Sequence, residues 1–175
     1  MSREALDPLT RATVTIAWVI IANKPFYPLY VWWLVGQGVG ISALTLVSIP
    51  FFLAIPLAAG RSPFFARLAL PLIGTLDTVF ETAIFGKASA TLLFLAPCMA
   101  LVMVSFHAAE KWWQRGLACS IFICFATSWW AIRDPVFPWN KDQLATLLSI
   151  NAFAVASLMA FIALRYAGLK ADTSI

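Results

Sequence analysis

Charge is what this chain has least of. Only 11% of its 175 residues are Asp, Glu, Lys or Arg, whereas 62% are hydrophobic, and mean hydropathy is +0.86. A soluble domain carries about a quarter charged residues, so lipid, rather than water, must be the main solvent here. Histidine is almost missing: His107 is the single copy, and one imidazole per chain cannot supply bis-histidine haem ligation. The three cysteines, Cys98, Cys119 and Cys124, lie in apolar stretches at spacings that match no zinc or redox motif. Their odd number also argues against a disulfide framework. There is no GxSxG, P-loop, HExxH or Gly-rich phosphate fingerprint. These gaps leave enzymatic activity without support, and the expectation is a non-enzyme with no metal and no cofactor. The opening MSREALDPLTR offers no apolar core for a cleaved signal peptide.

What the chain does have is long hydrophobic runs. A transmembrane helix needs about 20 mostly apolar residues, and six segments come close: 12–35, 41–59, 68–86, 89–107, 116–132 and 144–166. Between them GQGVG, GRSPFFAR and RDPVFPWNKDQ carry turn-forming residues. The reading is an all-α polytopic membrane protein, a six-helix transmembrane domain over 12–166 with an arm at 1–11 and a tail at 167–175. With both termini cytoplasmic, Arg3, Arg11, Arg61, Arg67, Lys111, Arg115, Arg165 and Lys170 fall inside, and Lys87, Arg133 and Lys141 outside, as the positive-inside rule requires. A pI near 9.2 is no sign of nucleic-acid binding. The pairs Trp32–Trp33, Trp112–Trp113 and Trp129–Trp130 sit at helix ends, where amphipathic rings settle among headgroups. Prolines 25, 28, 50, 56, 71 and 97 lie in or near helices. They kink helices and can open a pocket between them.

Against this background LDTVFETAIF at 76–85 stands out. Asp77 and Glu81, four apart, share one helix face about 40° wide. An Asp at a bilayer centre costs roughly 2.5–3.5 kcal/mol on insertion scales, so these acids must face the bundle interior, hold a proton or meet a cation. Lys24 is a cation at the right depth. Counted at about 1.5 Å per residue from the inner boundary, it lies roughly 18 Å up the first segment, with Asp77 at roughly 14 Å and Glu81 at roughly 20 Å up the third. An interhelical ion pair of Lys24 with Asp77 or Glu81 is expected, either as a polar clamp or as part of a ligand, ion or proton site. Asn23, Thr78 and Asn151 are further interhelical hydrogen-bonders. HAAEKWW, with His107 and Glu110, reads as a capped, solvated helix end, and Met99 and Met103 as core.

Two stretches carry a family resemblance. PFYPLYVWW at 25–33 resembles the F-P-L-Y-Y-x-x-W signature near the end of the first helix in certain bacterial sensor histidine kinases. GKASATLLFLAPCMALV at 86–102 resembles the third-to-fourth helix junction of hexahelical domains on bacterial class III adenylate cyclases. Both groups are similar to the quorum-sensing receptor kinases of vibrios, whose six-helix input domain binds a lipophilic α-hydroxyketone. The resemblance implies a six-helix receptor module, dimeric if it follows the outputs of that family. This sequence carries no coiled-coil linker, kinase or cyclase, so the expectation is either a stand-alone relative or a module of a bacterial inner membrane that signals through a separate partner.

The resulting expectation is a membrane-embedded receptor-like module for a small lipophilic ligand. Asp77 and Glu81 orient a hydroxyl or cation, while Phe80, Phe94, Tyr27 and Tyr30 supply apolar wall, a mixture usual for ligand pockets. The second expectation is an assembly subunit of a larger membrane complex, packed through small residues such as Gly36, Gly40, Ala58 and Ala152. The third is a small transporter, disfavoured because no inverted repeat is visible.

Overall fold

The computed structural model describes residues 6–171, which are helical almost throughout, with no strand among them. Helix α1 spans Pro8–Asn23, begun by Asp7, whose carboxylate accepts from the Thr10 N–H at 3.0 Å, and by Pro8 at the first helical position, the usual pairing of cap and fixed φ. Pro25 stops it, and after the turn at Lys24 the chain continues as α2, Phe26–Tyr30, and a π turn, Val31–Val35. Gly36, at φ +79°, reverses the direction. A short α3, Val39–Ser42, and a 3₁₀ stretch, Ala43–Ser48, lead into α4, Ile49–Ala59.

Ser62 and Pro63 then start α5, Pro63–Phe85, and Gly86, at φ +77°, ends it. Two 3₁₀ turns precede α6, Leu95–Val104, which breaks before α7, Lys111–Ala131. A loop folds back over the end of α5, where the Val136 N–H donates to the Ile84 carbonyl. Helix α8, Lys141–Ala171, closes the chain.

All six apolar segments are helical, but their lengths differ. Three helical stretches are long and apolar enough to cross a bilayer: Val39–Ala59, Pro63–Phe85 and Lys141–Leu169. A fourth crossing arises if Thr91–Val104 and Ala108–Ala131, turned 118° at their break, form one broken span. Helix α1 falls short because the Lys24–Pro25 interruption limits it to 16 residues.

Helices α1, α4, α5 and α8 share one core, with Ile16, Phe52, Ile55, Leu70 and Ile162 fully or almost fully buried. A second core joins α6 and α7 through Val102, Leu117 and Ile121. The third lies at the end where α5 finishes: Val31, Phe85, Trp139 and Leu147 pack together, the Phe85 and Trp139 rings stacked at 5.8 Å. Gly38 backs directly onto the Trp139 ring at φ +76°, leaving no room for a Cβ.

At the opposite end an ionic network ties the start of α1 and the break between α6 and α7 to α5. Arg67, only 3% exposed, donates to Asp7 at 3.2 Å, to Thr10 Oγ1 at 2.9 Å and to Glu110 at 2.5 Å. Glu110 also accepts from the His107 N–H at 2.9 Å. Beside it the Tyr166 hydroxyl bonds Ser105 at 2.7 Å and Thr13 at 3.3 Å. Glu110 is thus half of a part-buried ion pair with a buried arginine, as well as a member of the helix cap. Arg67 belongs to the interior because α5 starts at Pro63, one turn earlier than the apolar run.

Burial pushes the Asp7 carboxyl up, but hydrogen bonds from Thr10 and the Arg67 charge outweigh it and leave the group below its ordinary 3.8. A depressed carboxyl stabilises the fold fully above the unfolded value and loses that contribution as pH falls through the folded one. Asp7→Asn is therefore expected to be less stable at neutral pH and to show a flatter loss of melting temperature below about pH 4. Gly38→Ala is expected to cost about 1–3 kcal/mol by dislodging Trp139, measured by thermal unfolding with tryptophan fluorescence.

Candidate functional site

The acids on α5 and the lysine after α1 meet. Lys24 closes the C-terminal turn of α1, where the free carbonyls favour a cation, and its side chain crosses to α5. The ammonium lies 2.5 Å from Asp77 Oδ2 and 2.8 Å from Glu81 Oε1, and donates to the Thr45 carbonyl at 3.1 Å. The three side chains are 9–13% exposed. The Phe52 ring lies under the ammonium, 5.7 Å to its centroid. Thr45 and Phe52 were not legible as members of this site. Thr45 contributes a backbone carbonyl, and Phe52 is one aromatic among many.

The cluster forms one wall of a cavity of about 850 Å³ between α1, α5, α6 and α8. On α5 the lining stripe is Leu70, Gly74, Asp77, Thr78 and Glu81, spaced at helical turns. Where α5 meets α6 at Gly74, a Cβ would come within 2.9 Å of Cys98 Sγ, so glycine permits the approach. Thr78 and its neighbours Thr75 and Thr82 each return their hydroxyl to the carbonyl four residues back, at 2.7 Å. Their hydroxyl protons are therefore satisfied within α5, and Thr82 Oγ1 also accepts from the Thr91 hydroxyl at 3.2 Å.

Of the wall residues expected from sequence, Tyr27, Tyr30 and Phe94 line the cavity. Phe80 does not: it is 42% exposed on the outer face of α5, about 60° around the helix from Asp77 and 100° from Glu81. Its part is taken by Phe153 and Phe161 of α8. The Tyr27 ring packs edge-on against Phe85 at 5.5 Å, and its hydroxyl is buried without a hydrogen bond. Asn151 does not line the cavity; its amide donates to the Ser89 carbonyl at 2.8 Å, tying α8 to the turn after α5. Asn23 lines the cavity beside Lys24.

The opening lies on the side of the bundle. Helix α1 meets α8 at Thr13–Tyr166, and Val31 meets Leu147 at the other end. Between these contacts the rim carries Val19, Tyr30, Leu34 and Phe153, which are 40–77% exposed. Comparison with known proteins finds no matching family model, no curated protein of similar sequence and no solved structure of similar fold. The chemistry of the site must be read from its own residues. Among the described residues no group of three or more His, Cys, Asp and Glu side chains is placed to hold a metal ion.

What the arrangement offers is an apolar, aromatic slot with a charged cluster in its wall. Removing one partner of a buried ion pair costs about 3–5 kcal/mol, because the other charge is left stranded. Lys24→Met is accordingly expected to be among the most destabilising single changes, and adding Asp77→Asn and Glu81→Gln to it should restore part of the loss. Thermal melts of the single and combined variants measure this; strict additivity would show the contacts to be uncoupled.

Proposed function

We propose that this protein is a membrane receptor-like module that binds a small lipophilic molecule within its helix bundle. The cavity carries this reading. Its 850 Å³ falls in the range of sites that enclose small ligands, about 300–1,000 Å³, and it pairs apolar walls with a few convergent polar groups. The sideways mouth suits a ligand that partitions into acyl chains. The resemblance of 25–33 and 86–102 to hexahelical receptor domains points the same way.

In this reading the six helical segments all pass through a bacterial inner membrane. Arg67 and Glu110 then lie at the cytoplasmic end with both termini, and the Trp139 loop at the outer end. Helix α8 forms one wall of the cavity through Phe153 and Phe161 and ends in the Tyr166 contacts with Thr13 and Ser105. A ligand that prefers one setting of α8 would shift the population of two states, and a separate cytoplasmic partner would read the change.

The test is to purify the protein in mild detergent, extract it with organic solvent and identify co-purified lipophiles by mass spectrometry. A stoichiometric small molecule is expected, and it should be depleted in an Ala154→Phe variant that fills the slot from α8. Protein that is consistently empty when produced in several hosts would defeat the proposal.

A further inference from the structure

Counting donors and acceptors at the charged cluster goes a step beyond that reading, and rests on it. An ammonium has three N–H donors and no more. Lys24 donates to Glu81 Oε1 and to the Thr45 carbonyl and lies in ionic contact with Asp77 Oδ2, so its charge is already engaged by groups of the protein. The second oxygen of Asp77, Oδ1, is buried with no hydrogen bond, and the hydrogen bond that Glu81 accepts from Lys24 falls on Oε1. Lys24 is also the single cation among the residues lining the cavity. Two carboxylates therefore share one ammonium. With both acids ionised, the site is rich in acceptors, short of donors and one positive charge short of neutrality, in surroundings where an unbalanced charge is expensive.

The walls favour the same kind of guest. Phe52 already lies beneath one ammonium, and Tyr27, Tyr30 and Phe94 add further aromatic faces, which attract cations. The cavity is also polarised along its length. The charged cluster sits toward the end of α5, whereas Leu70, Leu101, Leu158 and Phe161 line the remainder. From Leu70 to Glu81 is about 16 Å along the helix, a slot rather than a sphere.

We propose that the site selects single-chain amphiphiles whose head is a protonated primary amine, the head lodged against Asp77 and Glu81 and the tail running along α5 and α8 toward Leu70. An anionic head is disfavoured, because the one cation is already paired with both acids, which repel such a head. A neutral hydroxyl head supplies one donor but leaves the charge unbalanced.

Dodecylamine, dodecanol and dodecanoate have tails of equal length and heads that are cationic, neutral and anionic at pH 7. Each is titrated against the full chain in lipid nanodiscs, and the rise in melting temperature is followed. Dodecylamine should reach its half-maximal effect at a concentration about tenfold lower than dodecanol, the ratio expected for a charge-assisted hydrogen bond. Dodecanoate should have no effect, and Asp77→Asn or Glu81→Gln should bring the amine down to the level of the alcohol.

The wild-type comparison stands even if either variant fails to fold. Equal potency of alcohol and amine in the wild type would overturn the amine head and point to a carboxyl that keeps its proton, with the lipophilic-ligand reading untouched. An amine effect that survives in both variants would also overturn it, marking nonspecific adsorption. Stabilisation by none of the three overturns the amine head, whereas the receptor reading fails only on empty solvent extracts.

Discussion

One ammonium holds three parts of this bundle in register. Lys24 stands at the end of α1, its two acid partners belong to α5, and its carbonyl partner belongs to the 3₁₀ stretch before α4. Each charge alone would be costly in an apolar interior, and the cost is offset only while all remain together. The contact therefore acts less as added stability than as a specification. It fixes how far α1 stands from α5, and so keeps a slot between them where close-packed helices would otherwise have collapsed.

Helix α5 is the common member of both ionic clusters. Arg67 and Asp77 are ten residues apart, about 15 Å along the axis, with Pro71 between them. The first cluster binds α5 to Asp7 and to the break between α6 and α7, the second to α1. Displacing α5 disturbs both, so the slot and the far end of the bundle are mechanically joined by a single rod.

Much of this was legible because charge is rare. In a sequence with so few ionic side chains, Lys24, Asp77 and Glu81 announce themselves, and counting residues along helices places them at one depth. The all-helical architecture follows from the same apolar runs. Phe80 was misassigned because adjacency in sequence to Asp77 and Glu81 says little about facing: the helix carries it to the exposed side. The α8 wall could not be chosen from sequence because that helix is apolar on all sides, which leaves no periodicity to mark the buried stripe. Arg67 was read as a loop cation, although Ser62–Pro63 already signalled a helix start that puts it one turn inside. Six crossings were expected where three helical stretches, or four with the bent pair, have the length and apolarity to cross. The first run is cut to 16 residues by the break at Lys24–Pro25, and the fourth and fifth qualify only jointly, as a pair bent by 118°.

In the proposed receptor reading, the side entrance rimmed by Val19, Tyr30, Leu34 and Phe153 would set the concentration scale on which occupancy depends. A guest that comes through the acyl chains is counted as a mole fraction of lipid, so the bilayer gathers it before the protein meets it. Each added methylene deepens that reservoir by about 0.8 kcal/mol. Tail length would then tune the response through the membrane as much as through the walls of the slot.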